Sequence, residues 1–171
     1  YVPDALAPAE VPCEMRSFKS QQFRWAKGSA QTAKKLLPIV LRADIPFKVK
    51  LEALFHLTNN FAYLFLIILA MLQLPNMILR QQMQVPELLL LDVPLFALTS
   101  GSIVLFYLVT HRALYGSLWE AIRRLPLMMA LGIGLSLNNA RAVIEGLVGR
   151  ESEFVRTPKH GVVNKKEKWT L

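Results

Sequence analysis

The stretch ALFHLTNNFAYLFLIILAMLQL, Ala53 to Leu74, runs 22 residues without a formal charge. That is about the length a helix needs to cross roughly 30 Å of hydrocarbon. A second stretch, LLLLDVPLFALTSGSIVLFYLVT from Leu88 to Thr110, carries a single acid, Asp92, one turn in from its start. Burying a charge there costs much less than at a bilayer centre, so Asp92 reads as an outer-interface residue. The two stretches predict transmembrane helices over 51–74 and 88–110, joined by a short external loop over 75–87. Of the 171 residues, 53% are hydrophobic and the mean hydropathy is +0.34. The apolar residues come in long blocks and not at the spacing of a water-soluble core. An all-α fold of integral membrane helices is therefore expected.

A third apolar block, Leu125 to Val148, is decided by magnitudes. Its twelve Leu, Ile, Val and Met residues favour insertion by roughly 4 to 7 kcal/mol, against about 2.5 to 3.5 kcal/mol each for Arg141 and Glu145 near the centre. Asn138 and Asn139 tip the sum against crossing. The expectation is one amphipathic interface helix over 125–149, with Leu137, Ala140, Ile144 and Val148 on its apolar stripe and Arg141–Glu145 as an exposed i, i+4 pair. Gly132 and Gly134 suit close packing or a bend.

Twenty Lys and Arg against twelve Asp and Glu give a net charge of +8. These cations flank the apolar blocks, so their partner is an anionic leaflet or a phosphorylated substrate and not nucleic acid. Residues 14–50 hold nine Lys or Arg, residues 111–124 three, the tail from 149 six, and the loop over 75–87 one. The positive-inside rule places the N-terminal segment, the 111–124 loop and the tail on the cytoplasmic side, which two crossings satisfy and three would not. Cys13 is the one cysteine, which rules out an internal disulfide and paired-cysteine zinc sites. The opening YVPDALAPAEVP has no initiator Met, basic n-region or h-region, and reads as part of a longer protein.

Ahead of the first crossing, Glu14 to Leu37 predicts an amphipathic helix closed by Pro38. Met15, Phe18 and Trp25 form its partial apolar face, and Arg16, Lys19, Lys27, Lys34 and Lys35 reach for headgroups. Gln21, Arg24, Trp25 and Gly28 fall at i, i+3, i+4 and i+7, on one face. A forked guanidinium suits a diphosphate or carboxylate, an amide adds a donor and an acceptor for sugar hydroxyls, and an indole offers a flat face to a pyranose ring. An interfacial helix with a Trp anchor has the same local chemistry. In the first crossing His56, Asn59 and Asn60 recur at i, i+3 and i+4, as residues lining a polar path or bonding between helices would.

QQFRW, with Gln21, Arg24 and Trp25 in fixed places, resembles the Gln-x-x-Arg-Trp motif of processive family-2 glycosyltransferases, the cellulose-synthase-like membrane enzymes. Further on, EFVRTPKHG resembles that family's gating-loop motif through Phe154, Thr157 and Lys159, and departs from it at Arg156. The order of parts is also the family's, and the likeness runs from about Glu10 to Gly161. It implies an inverting transfer from a nucleotide-diphosphate sugar to a growing glycan, with the product passed through the enzyme's own helices. By position, Trp25 and Gln21 would hold the acceptor, and Arg24, Gln21, Thr157, Lys159 and Phe154 the donor and its diphosphate. His56, Asn59 and Asn60 would line the channel. The family's GT-A α/β catalytic domain, its metal-binding Asp motif and its catalytic base do not occur in these residues. Mg2+ or Mn2+ would therefore be bound outside this chain, no residue here is assigned as a metal ligand or catalytic base, and the chain alone is expected to be inactive. The implied setting is a bacterial inner membrane, with the gating loop and basic tail (150–171) in the cytoplasm. Two other readings share these residues: a non-processive enzyme that adds one sugar to a glycolipid acceptor, and a non-enzymatic membrane protein whose basic segments bind lipid.

Overall fold

The computed structural model describes residues 11–12, 14–84, 86–151 and 153. They form six α-helices: α1 (Met15–Arg42), α2 (Phe47–Thr58), α3 (Phe61–Met83), α4 (Leu89–Tyr115), α5 (Leu118–Gly134) and α6 (Ser136–Val148), with a short 3-10 turn at Pro86–Leu88. No strand occurs among the described residues, so the all-α class holds. The chain divides into two compact units, Tyr1–Leu64 with Asn138–Leu171, and Phe65–Leu137.

In the first unit, α1 presents Ala26, Ala30 and Ala33 at i, i+4 and i+7, all buried. Small side chains on one stripe let another helix come close, and α6 does so with Ala142, Val143 and Gly146. A methyl group built on Gly146 would lie 2.7 Å from the Lys27 carbonyl oxygen and 2.9 Å from the Ala30 Cβ, so the contact requires glycine. Phe23, Phe61, Leu64 and Leu147 pack around this cluster. The amide of Asn138 donates to the Lys19 carbonyl at 3.0 Å, and the Lys34 ammonium donates to the Leu147 carbonyl at 2.7 Å. A cation on the last carbonyls of a helix satisfies groups that have no partner within it.

Helix α1 does not stop at Pro38; it runs on to Arg42. A proline removes one backbone donor, and here the deprived acceptor is the Lys34 carbonyl on an exposed turn, where solvent or headgroups can serve it. The stop comes at Ala43, which turns extended while its N–H still reaches the Ile39 and Val40 carbonyls, three residues before Pro46.

The first apolar stretch is split. Helix α2 ends at Thr58, Asn60 donates to the Asn59 side chain at 2.9 Å, and α3 begins at Phe61. Asparagine side chains compete with the backbone for hydrogen bonds and favour turns, so the long apolar helix is Phe61–Met83 and not 51–74. It continues through Pro75 and stops where Gln84 adopts φ 50, so most of the expected 75–87 loop is helical.

In the second unit, Arg80 of α3 forks onto Asp92 of α4, and its Nε donates to the Asn76 amide oxygen at 3.1 Å. Helix α4 runs past Thr110 to Tyr115 and ends at Gly116, whose φ of 76 suits a left-handed cap. Ser117 then accepts from the Glu120 N–H at 3.3 Å and starts α5 within what was expected to be a loop. The expected single interface helix over 125–149 is thus two helices, interrupted at Leu135. Among the described residues, α3 and Leu90–Tyr115 of α4 are each long and apolar enough to span a membrane; α5 and α6 pass the same test only when counted together as one broken span.

Candidate functional site

The face of α1 that carries Gln21, Arg24 and Trp25 is continuous helix. Gln21 and Arg24 are half-buried, and Trp25 is 62% exposed. Arg24 donates to the Ser20 hydroxyl at 2.9 Å, one turn back, which holds the guanidinium along the helix. Two clefts meet at Arg24. One, of about 520 Å³, is lined by Arg16, Lys19, Ser20, Phe23, Arg24, Asn138 and Glu153. The other, of about 420 Å³, is lined by Arg24, Lys27, Gly28, Gln31, Arg150, Glu151 and Glu153.

What fixes the second cleft is an ion pair. Lys27 lies 3.3 Å from Glu145 of α6, with side chains only 6% and 12% exposed, and Arg141 Nε donates to the other Glu145 oxygen at 2.9 Å. Burial alone would push the Glu145 carboxyl up, but hydrogen bonds from Arg141 and Lys27, together with their charges, outweigh it and hold the carboxyl below the ordinary glutamate range. A buried pair of this kind adds little net stability, but losing one partner strands the other charge. Its effect is positional: it holds α6, and the chain leaving α6, against the α1 turn that follows Arg24.

Several expectations change here. Lys27 does not reach for headgroups, since it is buried against Glu145. Glu145 is not exposed; it faces α1 while Arg141 stays outside, 71% exposed. On α6, Leu137, Ile144 and Val148 stand exposed, whereas Ala140 from the same expected stripe is buried. The inward face is Asn139, Ala142, Val143 and Gly146, because close approach to α1 selects small residues over large apolar ones.

His56 lies in the last turn of α2 and Asn59 and Asn60 at the break before α3; none sits within the long apolar helix. Phe154, Thr157 and Lys159 lie outside the described residues. The chain is described up to Glu153, which lines both clefts beside Arg24. Sequence reading missed Ser20, Asn138 and Glu153. Ser20 could have been found from its i−4 spacing to Arg24, but Asn138 and Glu153 reach the cleft from more than 110 positions away and leave no local signal.

The site is a cationic, partly enclosed helix face with an exposed indole next to it, a class of surface suited to phosphorylated and ring-shaped ligands. Among the described residues no group of three His, Cys, Asp or Glu side chains converges. No family model matches the chain, and no solved structure matches it. A curated relative, glucomannan 4-beta-mannosyltransferase 7 of Arabidopsis thaliana, is 26% identical over 170 residues. The alignment covers 94% of this chain, but the chain spans only 28% of that relative's length.

Proposed function

We propose that this chain is the membrane and gating segment of a glycosyltransferase that takes a nucleotide-diphosphate sugar and extends a glycan carried across the membrane. The likeness to a named glycosyltransferase along nearly the whole chain supports the general activity. The observation that carries the finer reading is the position of Arg24: it borders both clefts together with Glu153, the residue just before Phe154, Thr157 and Lys159. In our reading the segment that follows Glu153 covers a ligand held by Arg24.

In this reading Arg24, Thr157 and Lys159 neutralise the diphosphate, Phe154 packs near the base, and Trp25 with Gln21 holds the acceptor sugar. The acceptor hydroxyl oxygen forms the new bond to the anomeric carbon as the bond to the diphosphate breaks. Its proton passes to a base outside this chain, and the electron pair leaves with the diphosphate. Preplaced cations favour that step because negative charge grows on the leaving group. Mg2+ or Mn2+, held by residues outside the chain, would add further neutralisation of the diphosphate. A covering loop keeps out water, which would otherwise accept the sugar.

The test is incorporation of label from a panel of nucleotide sugars, with Mg2+, by membranes carrying the full-length protein. Arg24→Ala should lower incorporation by about 100-fold, the usual loss when one charge-stabilising donor is removed, and Trp25→Ala should abolish chain extension. Unchanged incorporation in both variants would overturn the reading.

A further inference from the structure

A third cleft lies apart from Arg24. It has a volume of about 520 Å³ and is almost wholly apolar, floored by Leu37, Leu41, Phe61 and Leu147 and flanked by Lys34 and Arg42. We infer that this groove is a binding site for an anionic phospholipid of the leaflet that meets α1, with one acyl chain on the apolar floor and the phosphate between Lys34 and Arg42.

Three observations point to that occupant. The groove has the size of a small-ligand site. Its floor includes Phe61, the first residue of a helix apolar enough to span a membrane, so the floor adjoins the level at which lipid replaces water. And its two cations stand two helical turns apart on α1, both exposed, on stems long enough to converge on one headgroup while their methylenes cover the floor. Lys34 commits one donor to the Leu147 carbonyl, which orients its ammonium across the groove. A neutral amphiphile would leave both cations unanswered, and a soluble phosphate would leave the floor exposed; an anionic lipid answers both. The inference is independent of the glycosyltransferase reading and needs no activity to test.

The experiment is native mass spectrometry of the full-length protein, delipidated in neutral detergent and titrated with phosphatidylglycerol or with phosphatidylcholine of the same acyl chains. Retention should favour phosphatidylglycerol, and Lys34→Gln with Arg42→Gln should weaken it by about fivefold per cation, near the worth of one basic residue at an anionic surface. Glycerol 3-phosphate should not compete. A control pair, Lys35→Gln with Lys48→Gln, removes two exposed cations outside the groove and should leave retention unchanged. Because losing Lys34 also removes a cap from α6, Lys34→Arg with Arg42→Gln serves as the folded variant and should lose about fivefold. Equal retention of both lipids, an equal loss in the control pair, or competition by glycerol 3-phosphate would each overturn the site.

Discussion

The two units of this chain solve opposite packing problems. In the first, α1 and α6 bury alanine, valine and glycine around a charged pair, and the helices approach so closely that one added methyl would strike backbone. In the second, α3 and α4 leave Phe65, Leu69, Leu98 and Phe106 more than half exposed, with one polar fork, Arg80 onto Asp92. Large apolar residues left outside are what a hydrocarbon solvent allows, since lipid tails do not drive leucines together. Where water is the solvent, close packing and charge pairing must be satisfied internally. The site belongs to the first kind of region, which holds its cations in fixed places.

The largest effect should come from breaking the ion pair. Glu145→Ala takes from buried Lys27 the carboxylate it faces at 3.3 Å and should destabilise the first unit by about 3 kcal/mol, the lower end for a broken buried pair. Hydrogen exchange should then speed up in α1 and α6 while α4 stays protected; uniform loss across all helices would erase the contrast between units. Gly146→Ala comes next, since its methyl group meets a carbonyl oxygen at 2.7 Å. Overpacking costs about 1 to 3 kcal/mol, offset in part by the better helix propensity of alanine. A thermal melt in detergent should show the midpoint fall.

How far the sequence showed this in advance differs by region. The hydrophobic blocks disclosed the two helices long and apolar enough to span a membrane, but Asn59 and Asn60, which hydropathy puts inside a span, mark its start, because turn chemistry outweighs hydropathy locally. Ser117 and Glu120 carry the spacing of a helix cap, a local signal for the start of α5. On α6, counting large apolar residues picked the face that points outward, since periodicity reports amphipathicity and not which face a partner helix selects. Gln21, Arg24 and Trp25 were legible as one helix face. Their setting was not, since Asn138 and Glu153 arrive through tertiary packing alone.

The smaller effects sharpen the comparison. Asp92→Asn should leave the thermal midpoint nearly unchanged, because both side chains of that pair are partly exposed. Acid should act on the first unit through Glu145. Its folded pKa lies below the ordinary 4.5, so its stabilising contribution is complete above that value and is lost as the pH falls through the folded value. The thermal midpoint should therefore hold steady from about pH 7 to about pH 5 and drop below, with Glu145→Gln removing that drop.

Everything proposed for the site requires the turn around Arg24 and the segment beginning at Glu153 to share one side of the bilayer. In the full-length protein with its native cysteines, Cys13 among them, replaced by serine, single substitutions Ser20→Cys and Glu153→Cys can be labelled in sealed membrane vesicles with a membrane-impermeant maleimide. Both cysteines should be labelled from the same, cytoplasmic side, and the double variant should form an internal disulfide that inorganic diphosphate slows. Labelling from opposite sides, with no disulfide, would contradict the account.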